Sequence, residues 1–515
     1  MLAWGAAAVG FMGIASALTP ELANHVDAVR GVLPPTAPSV ARVAALSFGI
    51  GLVWLARSLA RRRRPAWQLT VVLVLGISVA HLAKGLDVEE AACALFLLIA
   101  LLRYRRRFDV PGDPEALRPL LGTMCALAAL GAVTTWLQLD PGLDRLEDVL
   151  AAATSVLAVR VLYLWLRPLS ARVGQTVEER RTARRLVEVY GRDSLAFFTL
   201  RRDKSYLFSP NRRAFLAYRV VAGTALVSGD PVGDDDDIDE LLNELRRFAR
   251  ANGWRVAVLG ASGEQLARYR RFGLRAIKLG DEAVLRPDQF TLGGRRIRKV
   301  RQSVARLDRA GYRFRVTAPA EADPRLRAKL AEVSDLWRGT QPERGFSMAH
   351  DDLHAPDTLV ALAEDADGSI GGFLHLVPTP AAGGYSLSMM RRRPDTPNGL
   401  MEFLIVRALE WAGERDVPEL SLNFCVFTDV LHPGADGWRR VVRPVLLALD
   451  RLFQLERLYV FNRKFFPDWR PRYLCVERLS DLPAVGLAYL HVESLLVPPG
   501  PWTRPHSPSV DCRGS

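Results

Sequence analysis

The fold class of the C-terminal part follows from a short junction, Tyr269-Arg270-Arg271-Phe272-Gly273-Leu274-Arg275. Its basic start has the composition of a helix end, and Gly273 supplies the stop. An apolar, strand-like run follows over residues 274–285. Upstream, residues 238–251 have the period of an amphipathic helix, and residues 256–259 predict a strand. Strands that alternate with helices in this way predict an α/β domain.

The same alternation is repeated further along the chain. Residues 371–377 and 385–390 predict strands, residues 398–415 predict a helix, and residues 419–424 predict the strand after it. Two α/β units, each with an antiparallel meander and flanking helices, fit this pattern. A further strand is predicted at residues 195–200, near the start of the first unit.

A helix that ends at a glycine and turns into a strand is typical of acyltransferases of the GNAT fold. Those that use acetyl-CoA also carry a Q/R-x-x-G-x-G/A turn, whose backbone N–H groups bind the pyrophosphate. The run from Arg270 to Arg275 departs from that turn at its last position. We therefore expect an acyltransferase-like fold whose donor is not acetyl-CoA.

The N-terminal part is apolar and predicts a membrane domain. The chain has 515 residues, 49% of them hydrophobic, yet its net charge is +13, so apolar and basic residues are segregated. This composition excludes a disordered chain and a small disulfide-stapled domain. Six membrane spans are predicted, at residues 2–19, 41–60, 67–83, 87–102, 119–137 and 147–166. The basic loops at 61–64 and 103–107 place everything after residue 168 in the cytoplasm by the positive-inside rule.

The predicted fold class is a multi-pass α-helical membrane domain followed by two α/β domains, which the family resemblance described below implies are tandem GNAT-like domains. The predicted parts are a transmembrane domain at 1–168, a basic helical connector at 169–190, a first GNAT-like domain at 191–320, a second at 321–497 and a disordered tail at 498–515.

Metal sites are not expected. The five cysteines form no CxxC pair, and the acidic run 234–237 complements the dipole of the helix that it precedes. His350 and His354 stand four residues apart, but no third ligand is evident beside them.

The segment 295–315 is the most basic part of the chain, with nine basic residues and one acidic residue. Ile297, Val300, Val304 and Leu307 follow helical spacing, which predicts one buried stripe and an exposed basic face. Charge of one sign needs an anionic partner to offset its self-repulsion, and both RNA phosphate and anionic lipid headgroups qualify.

Many short stretches over residues 190–495 resemble, in order, the lysylphosphatidylglycerol synthase family, and in particular its forms fused to a lysyl-tRNA synthetase. The matching stretches include Asp193-Ser194-Leu195, Arg201-Arg202-Asp203-Lys204-Ser205, Ser228-Gly229-Asp230-Pro231-Val232, Leu279-Gly280-Asp281-Glu282-Ala283, Glu343-Arg344-Gly345-Phe346, Met390-Arg391-Arg392, Asn398-Gly399-Leu400-Met401-Glu402, Ser421-Leu422-Asn423-Phe424 and Lys464-Phe465-Phe466-Pro467-Asp468-Trp469.

The resemblance implies an aminoacyltransferase with no cofactor. It would move an aminoacyl group, with lysyl the first choice before alanyl or ornithyl, from aminoacyl-tRNA to the glycerol hydroxyl of phosphatidylglycerol. The expected place is the cell membrane, with the catalytic part at the cytoplasmic leaflet, and the cationic product would give resistance to cationic antimicrobial peptides. The sequence stops without a synthetase domain, so charged tRNA is expected to come from elsewhere. A separate flippase is a further candidate partner, and a homodimer stays open.

Two alternatives also stay open. The acceptor is diacylglycerol or a peptidoglycan precursor in the first, and the protein is a non-catalytic lipid flippase or membrane anchor in the second.

The chemistry needs acids for the ammonium groups of a cationic aminoacyl group and positive charge for phosphate. Asp395 and Glu402 flank a predicted strand-to-helix turn and, with Asn423 to position the ester, form the predicted catalytic set. The predicted substrate-binding residues are Arg295, Arg298, Lys299, Arg301, Lys204, Asp230, Asp281, Glu282, Arg344, Arg391, Arg392, Asn398 and Lys464. The acids of the two Gly-Asp turns, Asp230 and Asp281, fit a structural capping role equally well.

Overall fold

The computed structural model describes residues 1–18, 37–85, 88–110, 112–113, 118–126, 130, 144–165, 173–339, 346, 349–350, 352–426 and 455–493. The chain divides into two compact units. One comprises Met1–Ser170 with Arg247–Trp254, and the other comprises Ala171–Arg246 with Arg255–Ser515.

The N-terminal unit is helical. Its helices are α1 (Leu2–Leu18), α2 (Ala37–Ala60), α3 (Arg64–Gly85), α4 (Val88–Arg103) and α5 (Asp144–Trp165). Leu52, Ile77 and Leu101 are among the buried side chains that form its core. Large apolar side chains such as Trp4 and Phe96 remain exposed on the outer faces of these helices.

The prediction of a multi-pass membrane domain is wrong on this structure. Within the described residues, none of the helices combines the length and the apolar character that crossing a bilayer requires. α1 and α4 have only 17 and 16 residues, whereas a span needs about 20. α5 begins with Asp144 and Arg145, so its apolar part is shorter than the helix. The predicted span at 119–137 lies largely outside the described residues.

The remaining helices are α6 (Val177–Tyr190), α7 (Asp235–Asn252), α8 (Leu266–Arg271), α9 (Arg298–Arg309), α10 (Pro324–Arg338), α11 (Leu400–Gly413), α12 (Leu455–Asn462) and α13 (Leu482–Val492). All lie in the C-terminal unit except the last residues of α7, from Arg247 onward, which are assigned to the N-terminal unit. Local sequence explains where several of them begin. Thr176 and Glu179 form a reciprocal capping box at the start of α6. Asp323 caps α10 and Pro324 occupies its first turn, where the missing N–H costs nothing.

Twelve strands in the described part of the chain form one mixed sheet. The strands are β1 (Ser205–Phe208), β2 (Ala214–Val221), β3 (Thr224–Ser228), β4 (Val232–Gly233), β5 (Arg255–Ser262), β6 (Arg275–Leu285), β7 (Arg313–Thr317), β8 (Leu359–Glu364), β9 (Ile370–Thr379), β10 (Gly384–Arg392), β11 (Leu420–Val426) and β12 (Asp468–Val476). Their order is β1-β2-β3-β5-β12-β6-β11-β10-β9-β8-β7, and β4 pairs with β2.

Two parallel pairs interrupt an otherwise antiparallel sheet. β3 runs parallel to β5, and β10 runs parallel to β11. Each pair follows an antiparallel meander, so the two predicted α/β cycles are present, and this part of the fold is GNAT-like. All residues of β3 and β11 are buried, as expected for strands covered on both faces.

β12 joins the two cycles. It comes from the end of the described chain, yet it lies antiparallel between β5 and β6, where Cys475 faces Val258 on one side and Ala276 on the other. β6 in turn pairs with β11 of the second cycle. The predicted boundary at residues 320 and 321 stays a prediction, but the sheet runs through both halves without a break.

The junction at residues 269–275 forms as predicted. α8 ends at Arg271, Gly273 adopts a left-handed φ of 89°, and β6 begins at Arg275. The strand predicted at 195–200 is wrong, because residues Ala196–Leu200 form a short 3-10 helix. Phe197 and Phe198 are both buried in this turn, and such a short apolar run has no period that separates a strand from a turn.

Candidate functional site

A cleft of about 980 Å³ lies where β3, β5, β6 and β12 meet in the C-terminal unit. Six carboxylates and three guanidinium groups line it, and we call it the acidic cleft. These side chains are Asp193, Asp230, Asp234, Asp235, Glu264 and Glu282, with Arg192, Arg470 and Arg472.

Arg472 forms the floor of the acidic cleft. Its side chain is only 4% exposed, and it donates two hydrogen bonds of 2.9 and 2.6 Å to Glu282 Oε2. It also donates to Asp193 Oδ2 at 2.7 Å and to Ser194 Oγ at 2.8 Å. Buried charges are tolerated only when they are paired and hydrogen-bonded, and this guanidinium meets that condition on several sides.

Both members of the central ion pair stay charged. Burial alone would raise the pKa of Glu282, but the charge of Arg472 and hydrogen bonds outweigh it and hold that pKa below its usual value. Burial likewise opposes the charge of Arg472, yet the carboxylates of Asp193 and Glu282 raise its pKa above the ordinary range. The floor is therefore a fixed ionic network.

Asn423 belongs to the same network through Ser421. The Ser421 hydroxyl donates to Glu282 Oε1 at 2.5 Å and accepts from the Asn423 backbone N–H at 3.0 Å. The Asn423 side chain donates to the Leu387 carbonyl at 3.2 Å, and its φ is 68°. Left-handed backbone is uncommon outside glycine and clusters at functional sites, and asparagine tolerates it best. The sequence prediction that singled out Asn423 thus leads to a residue that is linked to the acidic cleft through Ser421 and Glu282.

Asp230 is a carboxylate of the cleft that can exchange a proton near neutral pH. Burial, and then the negative charge of Asp193, raise the pKa of Asp230 to about 6. The Tyr269 hydroxyl donates to its Oδ1 at 2.9 Å and the Ser262 N–H donates to its Oδ2 at 3.0 Å. Tyr269 comes from α8, so the junction that indicated the fold also supplies a partner to the cleft.

A second cleft, of about 570 Å³, lies further along β6 and β12. Three arginines and one aspartate are its charged lining, and we call it the basic cleft. Its principal side chains are Arg286, Arg295, Arg296, Asp468, Leu285, Phe290, Ile297, Phe465 and Phe466. In the β6–β12 ladder, Glu282 faces Arg470 in the acidic cleft and Val284 faces Asp468 in the basic cleft. Two residues of strand, about 7 Å, therefore separate the two clefts.

The predicted basic helix is α9. Val300, Val304 and Leu307 are buried as predicted, while Arg298 and Lys299 are exposed. Arg301 donates to the carbonyls of Leu292 and Gly294 and so fixes the loop that lines the basic cleft.

Glu402 and Lys464 were predicted separately, and the structure brings them together. Lys464 Nζ donates to Glu402 Oε1 at 2.8 Å. Lys464 directly precedes Phe465, which lines the basic cleft. Asp395 does not join them. It is exposed and pairs with Arg393 through hydrogen bonds of 3.1 and 2.9 Å, which hold the pKa of Asp395 below its usual value.

The turn between these residues is tightly packed. Gly399 is the N-cap residue of α11 and has a φ of 98°, and a Cβ at this position would lie 2.6 Å from the Cβ of Ser303 on α9. Arg306 donates to the Asn398 backbone carbonyl at 3.0 Å, so Asn398 serves the packing of the two helices.

Several other predicted substrate-binding residues have protein partners. Lys204 is fully buried and donates to the Phe198 carbonyl at 2.6 Å and to Ser228 Oγ at 2.7 Å. Asp281 pairs with Lys278 at 3.0 Å, and Arg391 lies 4.7 Å from the ring centre of Trp337.

Arg392 is partly exposed at the end of β10, and Arg344 lies outside the described residues. A role in substrate binding stays a prediction for all of these residues.

Sequence reasoning missed Asp193, Ser421 and above all Arg472 as site residues. The sequence signal that could have identified Arg472 is its position as a charged residue inside a strand, just before the apolar end of β12. Its partner Glu282 lies 190 positions away, and no local pattern links the two.

The mixed sheet, with its two parallel strand pairs and a polar cleft beside the first of them, defines a GNAT-like acyltransferase fold. The sequence profile described as phosphatidylglycerol lysyltransferase, C-terminal, matches residues 184–476. The chain belongs to this family, as the resemblance predicted.

Similar proteins agree with this assignment. The lysylphosphatidylglycerol biosynthesis bifunctional protein LysX of Mycobacterium avium (strain 104) is 34% identical over 88% of this chain and 43% of that protein. LysX of Rhodococcus jostii (strain RHA1) is also 34% identical, over 88% of this chain and 45% of that protein. The chain thus spans a little under half the length of these curated relatives.

Two solved structures are also similar. The structure of L-PGS from Bacillus licheniformis is 25% identical, with a TM-score of 0.56, and covers 61% of this chain and 96% of that chain. The C-terminal domain of a putative lysylphosphatidylglycerol synthetase from Agrobacterium fabrum is 27% identical, with a TM-score of 0.52, and covers 60% of this chain and 95% of that chain.

Proposed function

We propose that the protein transfers an aminoacyl group, lysyl in the first place, from aminoacyl-tRNA to the glycerol hydroxyl of phosphatidylglycerol. One observation carries the proposal within the family: two adjoining clefts of opposite charge share the β6–β12 ladder. A cationic aminoacyl group suits the acidic cleft, and an anionic lipid phosphate suits the basic cleft. The glycerol hydroxyl and the ester would meet along the ladder between them.

The chemistry needs little beyond positioning. The ester of an aminoacyl-tRNA is already activated, so its attack by a hydroxyl requires no ATP or CoA. As the new ester bond forms, the glycerol hydroxyl loses a proton and the old ester bond breaks. The leaving oxygen at the tRNA 3′ end takes up a proton and becomes a hydroxyl, so the proton count balances. Asp230 is our candidate for the proton acceptor, because a pKa of about 6 leaves its carboxylate largely ionised at neutral pH.

We place this activity at the cytoplasmic leaflet of the cell membrane, where charged tRNA and phosphatidylglycerol are both present. The net charge of +13 favours an anionic lipid surface. Conversion of phosphatidylglycerol to a cationic lipid would lower the negative surface potential and so weaken the binding of cationic peptides.

The test uses the full chain with phosphatidylglycerol vesicles and lysyl-tRNA, and mass spectrometry of the extracted lipid. We expect lysylated phosphatidylglycerol that disappears after RNase treatment, and less of it when alanyl-tRNA replaces lysyl-tRNA. Product that persists after RNase would refute the tRNA donor, and product formed only with diacylglycerol would refute the acceptor.

Site variants sharpen the same assay. Asp230→Asn is expected to lower turnover by about 100-fold or more if its carboxylate accepts the proton. Asp367→Asn, in an exposed turn outside both clefts, is the matched control and should retain the wild-type rate. Equal rates in the two variants would remove Asp230 from the mechanism.

A further inference from the structure

Tyr269 does not line the acidic cleft itself, but it bonds to a carboxylate that does. The residue is buried, with only 1% exposure, and its hydroxyl donates to Asp230 Oδ1 at 2.9 Å. Burial, and then the negative charge of Asp230, raise the pKa of Tyr269 well above its usual value. The phenol therefore keeps its proton near neutral pH and acts on Asp230 as a neutral hydrogen-bond donor.

The junction at the end of α8 fixes the place of Tyr269. Its backbone N–H donates to the Gln265 carbonyl at 3.0 Å, and its carbonyl accepts from the Leu274 N–H at 2.9 Å. The left-handed φ of 89° at Gly273 turns the chain from α8 into β6. The backbone is thus held on both sides, so the fold sets the direction from which the hydroxyl approaches Asp230.

The carboxylate of Asp230 is held from a second side by β5. The Ser262 N–H donates to Oδ2 at 3.0 Å, while Tyr269 occupies one lone pair of Oδ1. Gly229, directly before Asp230, has a left-handed φ of 70°, and its N–H donates to the Leu259 carbonyl at 2.9 Å. Because each carboxylate oxygen can accept two hydrogen bonds, both oxygens keep acceptor capacity for a substrate hydroxyl beyond these two bonds.

The groups around Asp230 act on its charge in opposite directions. Burial, and then the negative charge of Asp193, raise the pKa of Asp230 to about 6, whereas the Ser262 hydrogen bonds and the positive charge of Arg472 lower it. Asp193 stays in place because it accepts from Arg472 at 2.7 Å. The Cys475 thiol on β12 also interacts with Asp230, but burial raises the pKa of Cys475 to about 12, so this thiol carries no charge near neutral pH.

Most of the remaining charged side chains of the acidic cleft have partners of their own. They form four ion pairs, which are Asp234–Arg213, Asp235–Arg268, Glu282–Arg472 and Arg470–Glu419. Arg192 and Glu264 are exposed to solvent. Because the buried charges are already paired, the hydrogen bonds from Tyr269 and Ser262 decide how the Asp230 carboxylate is held.

We propose that Tyr269 is a positioning residue for the aminoacyl transfer, because its hydroxyl orients the carboxylate of Asp230 and keeps it ready to accept a proton. The proposal rests on the proposed function for the role of Asp230. The hydrogen bond and its effect on Asp230 are nevertheless measurable without any transfer.

The hydrogen bond has two effects that the reaction needs. The terminal torsion of an aspartate side chain is broad, and a fixed donor on Oδ1 narrows it. A donor also favours the charged form of the carboxylate, which burial opposes. In the transfer step the glycerol hydroxyl gives its proton to Asp230, and Asp230 passes it to the leaving oxygen at the tRNA 3′ end. The proton of Tyr269 stays on its own oxygen throughout.

The first experiment compares Tyr269→Phe with the wild-type full chain in the lysyl transfer assay over a range of pH. Phenylalanine keeps the buried ring and removes only the hydroxyl. We expect kcat to fall about tenfold and both KM values to stay within about twofold, since the lost bond acts on Asp230 and not on a substrate. The acid limb of the kcat profile should move up by about one pH unit, because the carboxylate loses a donor.

Tyr385→Phe is the matched control. Tyr385 is a partly buried tyrosine on β10 that packs against the ring of Trp411 and lines neither cleft. This variant should keep both the wild-type kcat and the wild-type pH profile.

A second variant, Asp193→Asn, should move the same limb in the opposite direction. Asparagine keeps an oxygen that can accept from Arg472 but removes the negative charge that acts on Asp230. We expect the acid limb to move down by about one pH unit. Shifts of opposite sign from two substitutions around one carboxylate identify Asp230 as the group that changes, since general damage to the fold has no such sign.

Thermal unfolding without substrates reads the same effect. The folded-state pKa of Asp230 is raised, so its contribution to stability is lost as the pH rises toward about 6. This loss should continue to about pH 7 in Tyr269→Phe and should end at about pH 5 in Asp193→Asn. Each variant is compared with the same variant that also carries Asp230→Asn, which isolates the contribution of Asp230.

Three results would overturn the proposal. A pH profile of Tyr269→Phe that superimposes on the wild-type profile would show that the hydroxyl does not act on Asp230. A lower melting temperature with an unmoved acid limb would show a packing role alone. A shift of the alkaline limb alone would show that Tyr269 gives its own proton to a substrate.

The same variants separate this proposal from the proposed function. Wild-type protein that forms no lysylated lipid, with the expected shifts in thermal unfolding, would refute the function and leave the control of Asp230 by Tyr269 standing. Product formation by Tyr269→Phe at the wild-type rate and with the wild-type pH dependence would refute the role of Tyr269 and leave the function standing.

Discussion

Replacing Arg472 by methionine tests whether the floor of the acidic cleft is an obligatory ion pair. Methionine keeps the length and the apolar stem of the side chain but removes the guanidinium. Glu282 would then lose the two hydrogen bonds of 2.9 and 2.6 Å while it stays 1% exposed. Asp193, whose side chain is 24% exposed, would lose one bond but could be hydrated.

We expect Arg472→Met to lower the free energy of unfolding by about 3–5 kcal/mol at neutral pH, because it leaves the buried carboxylate of Glu282 unpaired. The double variant Arg472→Met/Glu282→Gln removes the stranded charge, and its amide oxygen still accepts from Ser421. We therefore expect the double variant to be more stable than Arg472→Met alone by about 1–3 kcal/mol.

The pH dependence supplies an independent sign. In the wild type the folded-state pKa of Glu282 is depressed. Its contribution to stability is therefore present above the unfolded-state pKa and is lost as the pH falls through the folded-state pKa. Without Arg472, burial outweighs the remaining hydrogen bond from Ser421, so the folded-state pKa of Glu282 rises. Stability is then lost as the pH rises instead. The penalty of Arg472→Met should therefore be smaller at about pH 5 than at about pH 7.5.

Hydrogen–deuterium exchange of peptides that cover β6 and β12 is the suitable assay, because it reports on this ladder and not on the N-terminal unit. Thermal unfolding of all four members of the double-mutant cycle complements it. A cost under about 1 kcal/mol for Arg472→Met, with effects that simply add in the double variant, would refute the idea of an obligatory pair.

Three further predictions concern single positions. Burial raises the folded-state pKa of Asp230 to about 6, so its contribution to stability should fall by about 3 kcal/mol as the pH rises from about 4 to about 6. Asp230→Asn should abolish this pH dependence of stability in thermal unfolding. Gly399→Ala should lower the free energy of unfolding by about 2 kcal/mol or more, and Ser303→Ala should not rescue it, because the contact at 2.6 Å is with the Cβ of Ser303. Lys464→Met should lower the free energy of unfolding by at most about 1 kcal/mol, since its ion pair with Glu402 is partly exposed. A marked loss of turnover at an unchanged melting temperature would therefore assign Lys464 to the site.

Local patterns were sufficient for much of the C-terminal fold. The helix, glycine stop and strand around Gly273 follow from residue types within a few positions of one another. The buried stripe of α9 follows from helical spacing alone. Such features depend on short-range sequence, which a period or a cap records directly.

Other features depend on what the chain meets in space. The place of β12 between β5 and β6 has no trace in the local sequence, and neither does the pairing of Arg472 with Glu282. Asp395 had the right residue type in a plausible turn, but Arg393 two positions away satisfies it. The apolar runs and basic loops also overstated the N-terminal helices as membrane spans, because none of the described helices combines the length and the apolar character that a span requires.

The position of β12 also bears on how the chain is made. Residue 472 leaves the ribosome 190 positions after residue 282, which at about 5–20 residues per second is a delay on the order of 10–40 s. During that interval the facing edges of β5 and β6 have no partner from β12, and unpaired strand edges are templates for aggregation. A nascent chain arrested before Asp468 is therefore expected to bind chaperones strongly. We expect the chain to be released from the chaperone once β12 has been synthesised and can pair with β5 and β6.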